Sequence, residues 1–425
     1  MQSIDCQLLV IGAGMAGMAA AVFAANRGIQ TVQVGIPGEI IYASGLLDFI
    51  GIHPIEKRKL RRNPWAAIDA VNRDLPCHPY SRMTREQIRN AWYEFLRFLS
   101  KANLPYQYYK NRNVEIITPV GTMKPTYAVP ASMWSGVTAW GKKSPCLLVG
   151  FQGLKGFSVQ QIVSTLKYQW PDLRFVTISF PGNLTELYPE RMALALELEK
   201  NREKLAFEIT EHLYDAQAVG VPAICGIYRS AEVIADLKQK IGVPIFEIPT
   251  IPPGITGMRL KEAFAKHLPQ FGVQTLYHQK VRRVIVDSHQ TFIIEIGERN
   301  TETIVRADSI LLASGRFIGQ GLAADRQKIR ETIFDLPVHQ PNRRNQWHRH
   351  AFFDPRGHPA NQAGIEIDSS FRPLNVNGRP AFTHLYAAGS ILAHQDWIRM
   401  KCGSGLAISS AYRAVEAIYK RMSFK

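Results

Sequence analysis

The chain has no close pair of cysteines. Its five cysteines, Cys6, Cys77, Cys146, Cys225 and Cys402, stand far apart, and no two form a C-x-x-C pair. An iron–sulfur cluster needs clustered thiolates, so none is expected on this chain. Isolated thiols of this kind read as buried residues rather than bridges. Long apolar runs are missing as well. The longest, Met15 to Ala25, falls well short of the ~20 residues that span a bilayer. No basic lead-in precedes Asp5, so the start does not read as a signal peptide. A cytoplasmic protein is the expectation. No repeat, low-complexity segment, zinc knuckle or aromatic–basic RNA motif stands out, so no nucleic-acid partner is expected.

Acidic residues are few beside basic ones: 35 against 51, a formal charge of +16. Such a balance suits anionic ligands, acidic partners or anionic lipid. The runs Lys57-Arg58-Lys59 and Arg343-Arg344 read as solvated surface. Basic surface is attracted to anionic head groups by about 1 kcal/mol per residue, which is compatible with peripheral attachment to a membrane.

Against these absences stands one rich segment, Val10-Ile11-Gly12-Ala13-Gly14-Met15-Ala16-Gly17. An apolar strand over Cys6–Ile11 leads into it, an Ala-rich helix over Met15–Arg27 leaves it, and Thr31-Val32-Gln33-Val34 is a second strand. This is the context of a nucleotide cradle. Gly12 allows the tight turn, Gly14 lets a pyrophosphate approach the backbone, and Gly17 lets helix and strand pack closely. Free N–H groups and the dipole at the helix start then hold phosphate.

Two later passes repeat the theme. Ala307–Gly315 is a hydrophobic strand ending in small residues and Gly315, and His384–Ser390 is a short strand ending in Gly389 and Ser390. Lys401-Cys402-Gly403-Ser404-Gly405 then opens a long Ala-rich helix. Between the passes lie a polar, aromatic stretch and an α/β region with strands at 146–150, 174–178, 222–226 and 243–247 and a long helix over 189–213. The predicted organisation is a Rossmann-like nucleotide-binding α/β domain with a central parallel sheet, carrying a large inserted α/β domain. Its first part covers 1–50, the insertion 51–254, the second part 255–325, a connecting segment 326–375, and the last part 376–425.

In this order the three glycine-rich strand ends resemble flavoproteins with two dinucleotide-binding domains. More narrowly, the chain resembles the B-subunit family of anaerobic glycerol-3-phosphate dehydrogenase. That likeness rests on Ala43-Ser44-Gly45-Leu46-Leu47-Asp48, Thr118–Thr122, Leu148–Leu154, Pro249–Pro253, Gly257-Met258-Arg259-Leu260, Arg330-Glu331 and Cys402–Gly405. The resemblance implies a complex that oxidises sn-glycerol 3-phosphate to dihydroxyacetone phosphate and passes electrons to a quinone. It implies two partners, a second flavin-bearing polypeptide and a membrane-associated iron–sulfur polypeptide, the latter attaching the complex to the inner face of the membrane. It implies FMN on this chain, with FAD as the alternative.

One departure bears on that choice. FAD proteins usually end the second strand in an acid that grips the adenosine ribose, whereas here Gly35 stands there, followed by Ile36-Pro37. FMN has no adenosine to grip. Ser390 also replaces the acid common after the third strand end.

The flavin contacts expected are Gly12, Gly14, Gly17, Ser44, Gly45, Gly315, Gly389, Ser390, Gly403, Ser404 and Gly405. Lys401 and the helix start beside it are expected to favour the reduced flavin. His394 is the best-placed base, with His53 and His78 as other histidine candidates. Arg316, Arg259 and Lys124 are candidates for the substrate phosphate. His348 and His350 have no third ligand at suitable spacing, so no metal site is expected. Two other readings stay open: a stand-alone fumarate-reductase-like flavin oxidoreductase, and a relay or assembly component without its own substrate site.

Overall fold

The computed structural model describes residues 2–182, 184–287 and 291–423. They fall into two units: Met1–Glu39, Asp48–Phe98 and Phe264–Lys425 form one, Ile40–Leu47 and Leu99–Ala263 the other.

The first unit is organised by the strand Gln2–Ile11 (β1), the helix Met15–Asn26 (α1) and the strand Thr31–Gly35 (β2). β1 lies between β2 and the strand Thr303–Leu312, parallel to both, and the strand Gln274–Tyr277 extends the sheet beyond β2. Thr303–Leu312 has two characters. Its first half alternates in burial and pairs antiparallel with Phe292–Gly297. Its second half is buried on both faces and pairs parallel with Leu385–Ala387. Alternation marks a sheet with one wet face, and continuous burial marks a parallel sheet covered on both. α1 is apolar all round, and Phe23 meets Tyr412 of the C-terminal helix Gly403–Ser423 edge to face, with centroids 5.2 Å apart.

Residues 51–98 were expected within the insertion, but from Asp48 onward they cluster with the first unit. Aromatic packing is the reason: Phe49 is the hub on which Trp65, Tyr80 and Trp92 converge, and Phe95 and Phe98 pack on Phe264. The segment 326–375, expected as a connector, belongs to the same unit.

The second unit holds a four-stranded parallel sheet in the order Ile245–Ile248, Ala218–Pro222, Cys146–Phe151, Leu173–Ile178. Trp170 and Phe246 are among its largest buried side chains. Two expectations shift. The strand read at 222–226 falls at Ala218–Pro222, and the loop after it is held because Cys225 donates its N–H to Glu247 Oε1 at 2.7 Å. The long helix read over 189–213 is two, Pro189–Leu196 and Glu199–Thr210. The break is held on both sides. Glu197 Oε1 accepts the N–H groups of Ile227 and Tyr228, while Arg202 donates to the carbonyls of Leu196 and Glu197.

Candidate functional site

The turn after β1 is fixed by contacts that only glycine permits. Gly12 has φ +127°, and a β-carbon there would fall 2.1 Å from the carbonyl oxygen of Ala313. Gly12 donates to Val34 O, and its own carbonyl accepts from the buried Gln33 amide at 3.0 Å. A β-carbon on Gly17 would fall 2.0 Å from Gly12 O. Gly14 differs: it precedes α1 in an extended conformation, no side chain caps the helix there, and a β-carbon on it would meet nothing within 4 Å. The two flanking glycines are thus filled by protein, and the middle one faces open space at a helix N-terminus. This arrangement fits a diphosphate.

The other two strand ends lie beside it. Ile11 pairs with Leu312 and Leu312 with Ala387, so the three chains leave the sheet at one edge in register. Gly315 and Gly389 both take positive φ, at +72° and +84°. A β-carbon on Gly389 would lie 2.6 Å from that of Ala16 in the first turn of α1. The Gly389 N–H goes to Ser410 Oγ at 2.9 Å. Between these ends the hydroxyl of Ser314 is buried without a protein partner. Gln33, Ser314 and Ser410 were not singled out from sequence, because their roles arise from contacts between distant segments rather than from a motif.

The start of the C-terminal helix differs from expectation at Gly405. Its N–H is taken by Asp48 O at 2.7 Å, and a β-carbon there would fall 2.5 Å from Tyr80 Oη. Gly405 is therefore a close-packing glycine and not a cofactor contact. A β-carbon on Gly403 would meet the Trp397 ring at 2.8 Å. Lys401, half-buried in left-handed conformation, ends the short helix Trp397–Met400 directly before this start.

Both arginines expected at a substrate phosphate are committed elsewhere. Arg259 is buried and forms a bidentate pair with Glu247, at 2.6 and 2.8 Å, while its Nε donates to Gly226 O. Burial pushes the Glu247 carboxyl up, but Arg259 more than offsets it and holds the group below its usual range. Arg316 donates to the carbonyls of Asn361 and Ala360, and burial holds its guanidinium below its usual pKa. Lys124, on the strand Met123–Thr126, belongs to the second unit. So do Ser44, whose hydroxyl accepts from Leu46 N, and Gly45, where a β-carbon would strike Thr256 at 2.6 Å.

The histidines divide. His53 bonds Asp74 at 3.0 Å. His78 is buried, accepts the N–H of Tyr80, and is pushed down to about 3 by burial, so it is neutral. His394 bonds Glu366 Oε1 at 2.8 Å and lies beside His339, centroids 4.1 Å apart.

At the end of β2 a β-carbon on Gly35 would lie 2.8 Å from Ala13 N. A carboxylate at that position would displace the glycine turn itself. The diphosphate cradle fits FAD, and the usual ribose acid is lacking.

Comparison with known proteins agrees on the cofactor class. The family model of the FAD binding domain matches residues 7–406. The chain is 30% identical to the B subunit of anaerobic glycerol-3-phosphate dehydrogenase from Yersinia pseudotuberculosis serotype I, covering 98% of each chain. It is 29% identical to that of Vibrio vulnificus, covering 97% of this chain and 96% of the relative. Among solved structures, quinol fumarate reductase of E. coli aligns over 100% of this chain and 71% of its own, at 11% identity and a TM-score of 0.44. The matched family binds FAD, so the expectation of FMN finds no support in it. No helix among the described residues is long and apolar enough to cross a membrane. The family model and the relative at 30% identity, with the glycine cradle, place the chain among FAD-binding flavoproteins, as a member of the B-subunit family of anaerobic glycerol-3-phosphate dehydrogenase.

Proposed function

We propose that this chain is the flavin-bearing B subunit of a complex that oxidises sn-glycerol 3-phosphate to dihydroxyacetone phosphate. In this reading electrons leave through an iron–sulfur partner to quinone, and a second flavin-bearing partner completes the assembly. The observation that carries it is the open cradle at Gly14, flanked by the strand ends at Gly315 and Gly389 and set in a chain similar over its whole length to such B subunits. The isolated cysteines support the need for a separate cluster-bearing partner.

The flavin in this reading is FAD. When bound, it supplies hydride acceptance and one-electron release, the coupling an alcohol oxidation needs to reach an iron–sulfur centre. Gly12, Gly14 and Gly17 shape the cradle for its diphosphate. Gly315, Gly389 and Ser390 bring backbone to it from the neighbouring strands. Lys401, Gly403 and Ser404 offer positive charge and a helix start, which favour an anion. The adenosine is held without a carboxylate from β2. The His394 ring is held by Glu366 through its Nε2.

A relay role within the same complex is favoured by one observation. Arg259 and Arg316, two of the three cations expected at the phosphate, are bonded within the protein. In a relay, substrate oxidation takes place on the partner flavoprotein. The test is anaerobic addition of glycerol 3-phosphate to the purified chain, alone and with its partners. Bleaching of the isolated chain supports oxidation on this polypeptide. Bleaching only in the assembled complex supports the relay. A complex that stays oxidised contradicts the proposed substrate.

A further inference from the structure

Three residues far apart in sequence meet at the surface of the first unit. Val338–His339 pairs antiparallel with Gly364–Ile365, which puts His339 opposite Gly364 and two residues from Glu366. The segment after the third strand end runs alongside: Leu392 bridges Ile365, the Ala393 N–H donates to Ile365 O, and the His394 N–H donates to Gln362 O. His394 itself is held at φ +64°. Backbone bonds therefore fix all three α-carbons before any side chain is considered.

The side chains converge from there. His394 Nε2 lies 2.8 Å and His339 Nδ1 3.7 Å from the same oxygen, Glu366 Oε1. One ligand atom from each residue lies within 4.8 Å of the others. A tetrahedral zinc ion with bonds of 2.0–2.2 Å holds its donors about 3.3–3.6 Å apart. The observed spacings straddle that value, so small rotations bring the trio onto it. Two imidazoles and one carboxylate form a borderline donor set that suits zinc better than calcium or magnesium, which prefer all-oxygen shells. Half-exposure leaves the remaining coordination position to water.

We propose that His339, Glu366 and His394 form a site for a divalent transition-metal ion of the zinc class, clipping the 338–366 hairpin to the segment that follows Gly389 and Ser390. The site is independent of the flavin reading, because every ligand is a protein side chain and none belongs to the glycine cradle.

The test uses the purified full chain, stripped with chelator and titrated with Zn²⁺ alone. One ion binds per chain, and His339→Ala or Glu366→Gln weakens it by at least about tenfold. His348→Ala and Cys77→Ser leave it unchanged; Cys77 is exposed and lines one pocket with Glu366 and His394. A second measurement needs no variant. Zn²⁺ shields His339 and His394 from diethyl pyrocarbonate, read by peptide mass spectrometry, while His348 and His350 stay reactive. The proposal is overturned by binding that survives both ligand variants, by binding that falls with Cys77→Ser instead, or by shielding spread equally over all exposed histidines.

Discussion

Gly12 O occupies the place where a β-carbon on Gly17 would fall, 2.0 Å away. The oxygen is itself held by the Gln33 side chain, so it cannot yield cheaply. A methyl group at 17 must push α1 off β1. Gly17→Ala should destabilise the chain by about 1–3 kcal/mol, in the range of overpacked cores. Urea unfolding checks this.

Gly14→Ala separates folding from binding. No protein atom lies within 4 Å of its added carbon, so the stability cost should stay under about 1 kcal/mol, that of losing glycine at a helix cap. Flavin content should fall much further, because the methyl stands in the open space of the cradle. Absorbance per chain after identical purification measures it. A variant that keeps full flavin contradicts the role given to Gly14.

The Arg259–Glu247 pair should behave as an enclosed ion pair. Arg259→Ala leaves a buried carboxylate unpaired and should cost about 3–5 kcal/mol, whereas Arg259→Met with Glu247→Leu should recover much of it. Glu247 is held below its usual pKa. Its contribution is therefore present above the unfolded carboxylate value and lost as pH falls through the lower, folded one. Paired unfolding curves of wild type and the double variant at neutral and acidic pH check both statements.

His78 gives a separate acid signature. Burial lowers its pKa from 6.5 to about 3, with the charges of His53 and His394 adding to the effect. The unfolded chain takes up a proton that the folded chain refuses. Stability should therefore fall as pH drops below the unfolded value, by at most about 1.4 kcal/mol per pH unit from this group. His78→Asn keeps an acceptor for the Tyr80 N–H and should flatten that slope. An unchanged slope contradicts a neutral, buried His78.

Gly35→Glu tests the missing ribose acid. Charge alone would favour an acid there as a new grip on adenosine, but its β-carbon meets Ala13 N at 2.8 Å. Flavin content should fall in this variant, read again as absorbance per chain.

The flavin fold was legible because its signals are local. The Gly12–Gly17 turn, the apolar ends of β1 and of Thr303–Leu312, and the small residues closing each strand lie within short windows, where periodicity and glycine chemistry suffice. Features decided by distant partners were not legible. Phe49, Trp65, Tyr80 and Trp92 draw residues 48–98 into the first unit through packing that no window contains. Arg259 reads as a cation for the substrate phosphate until Glu247 is seen opposite it on another element. Gly405 carries the glycine pattern of a ligand contact, but Asp48 and Tyr80 fill its space. The His339, Glu366 and His394 trio is spread along the chain from 339 to 394, and only backbone pairing assembles it.

FAD held in the cradle at Gly12, Gly14 and Gly17 is the claim on which the proposed function stands. Denaturing the freshly purified chain and chromatographing the released chromophore against FAD and FMN standards tests it most directly. One FAD released per chain is the predicted result. Release of FMN contradicts the cofactor assignment, and a folded, colourless chain that takes up neither flavin contradicts the cradle itself.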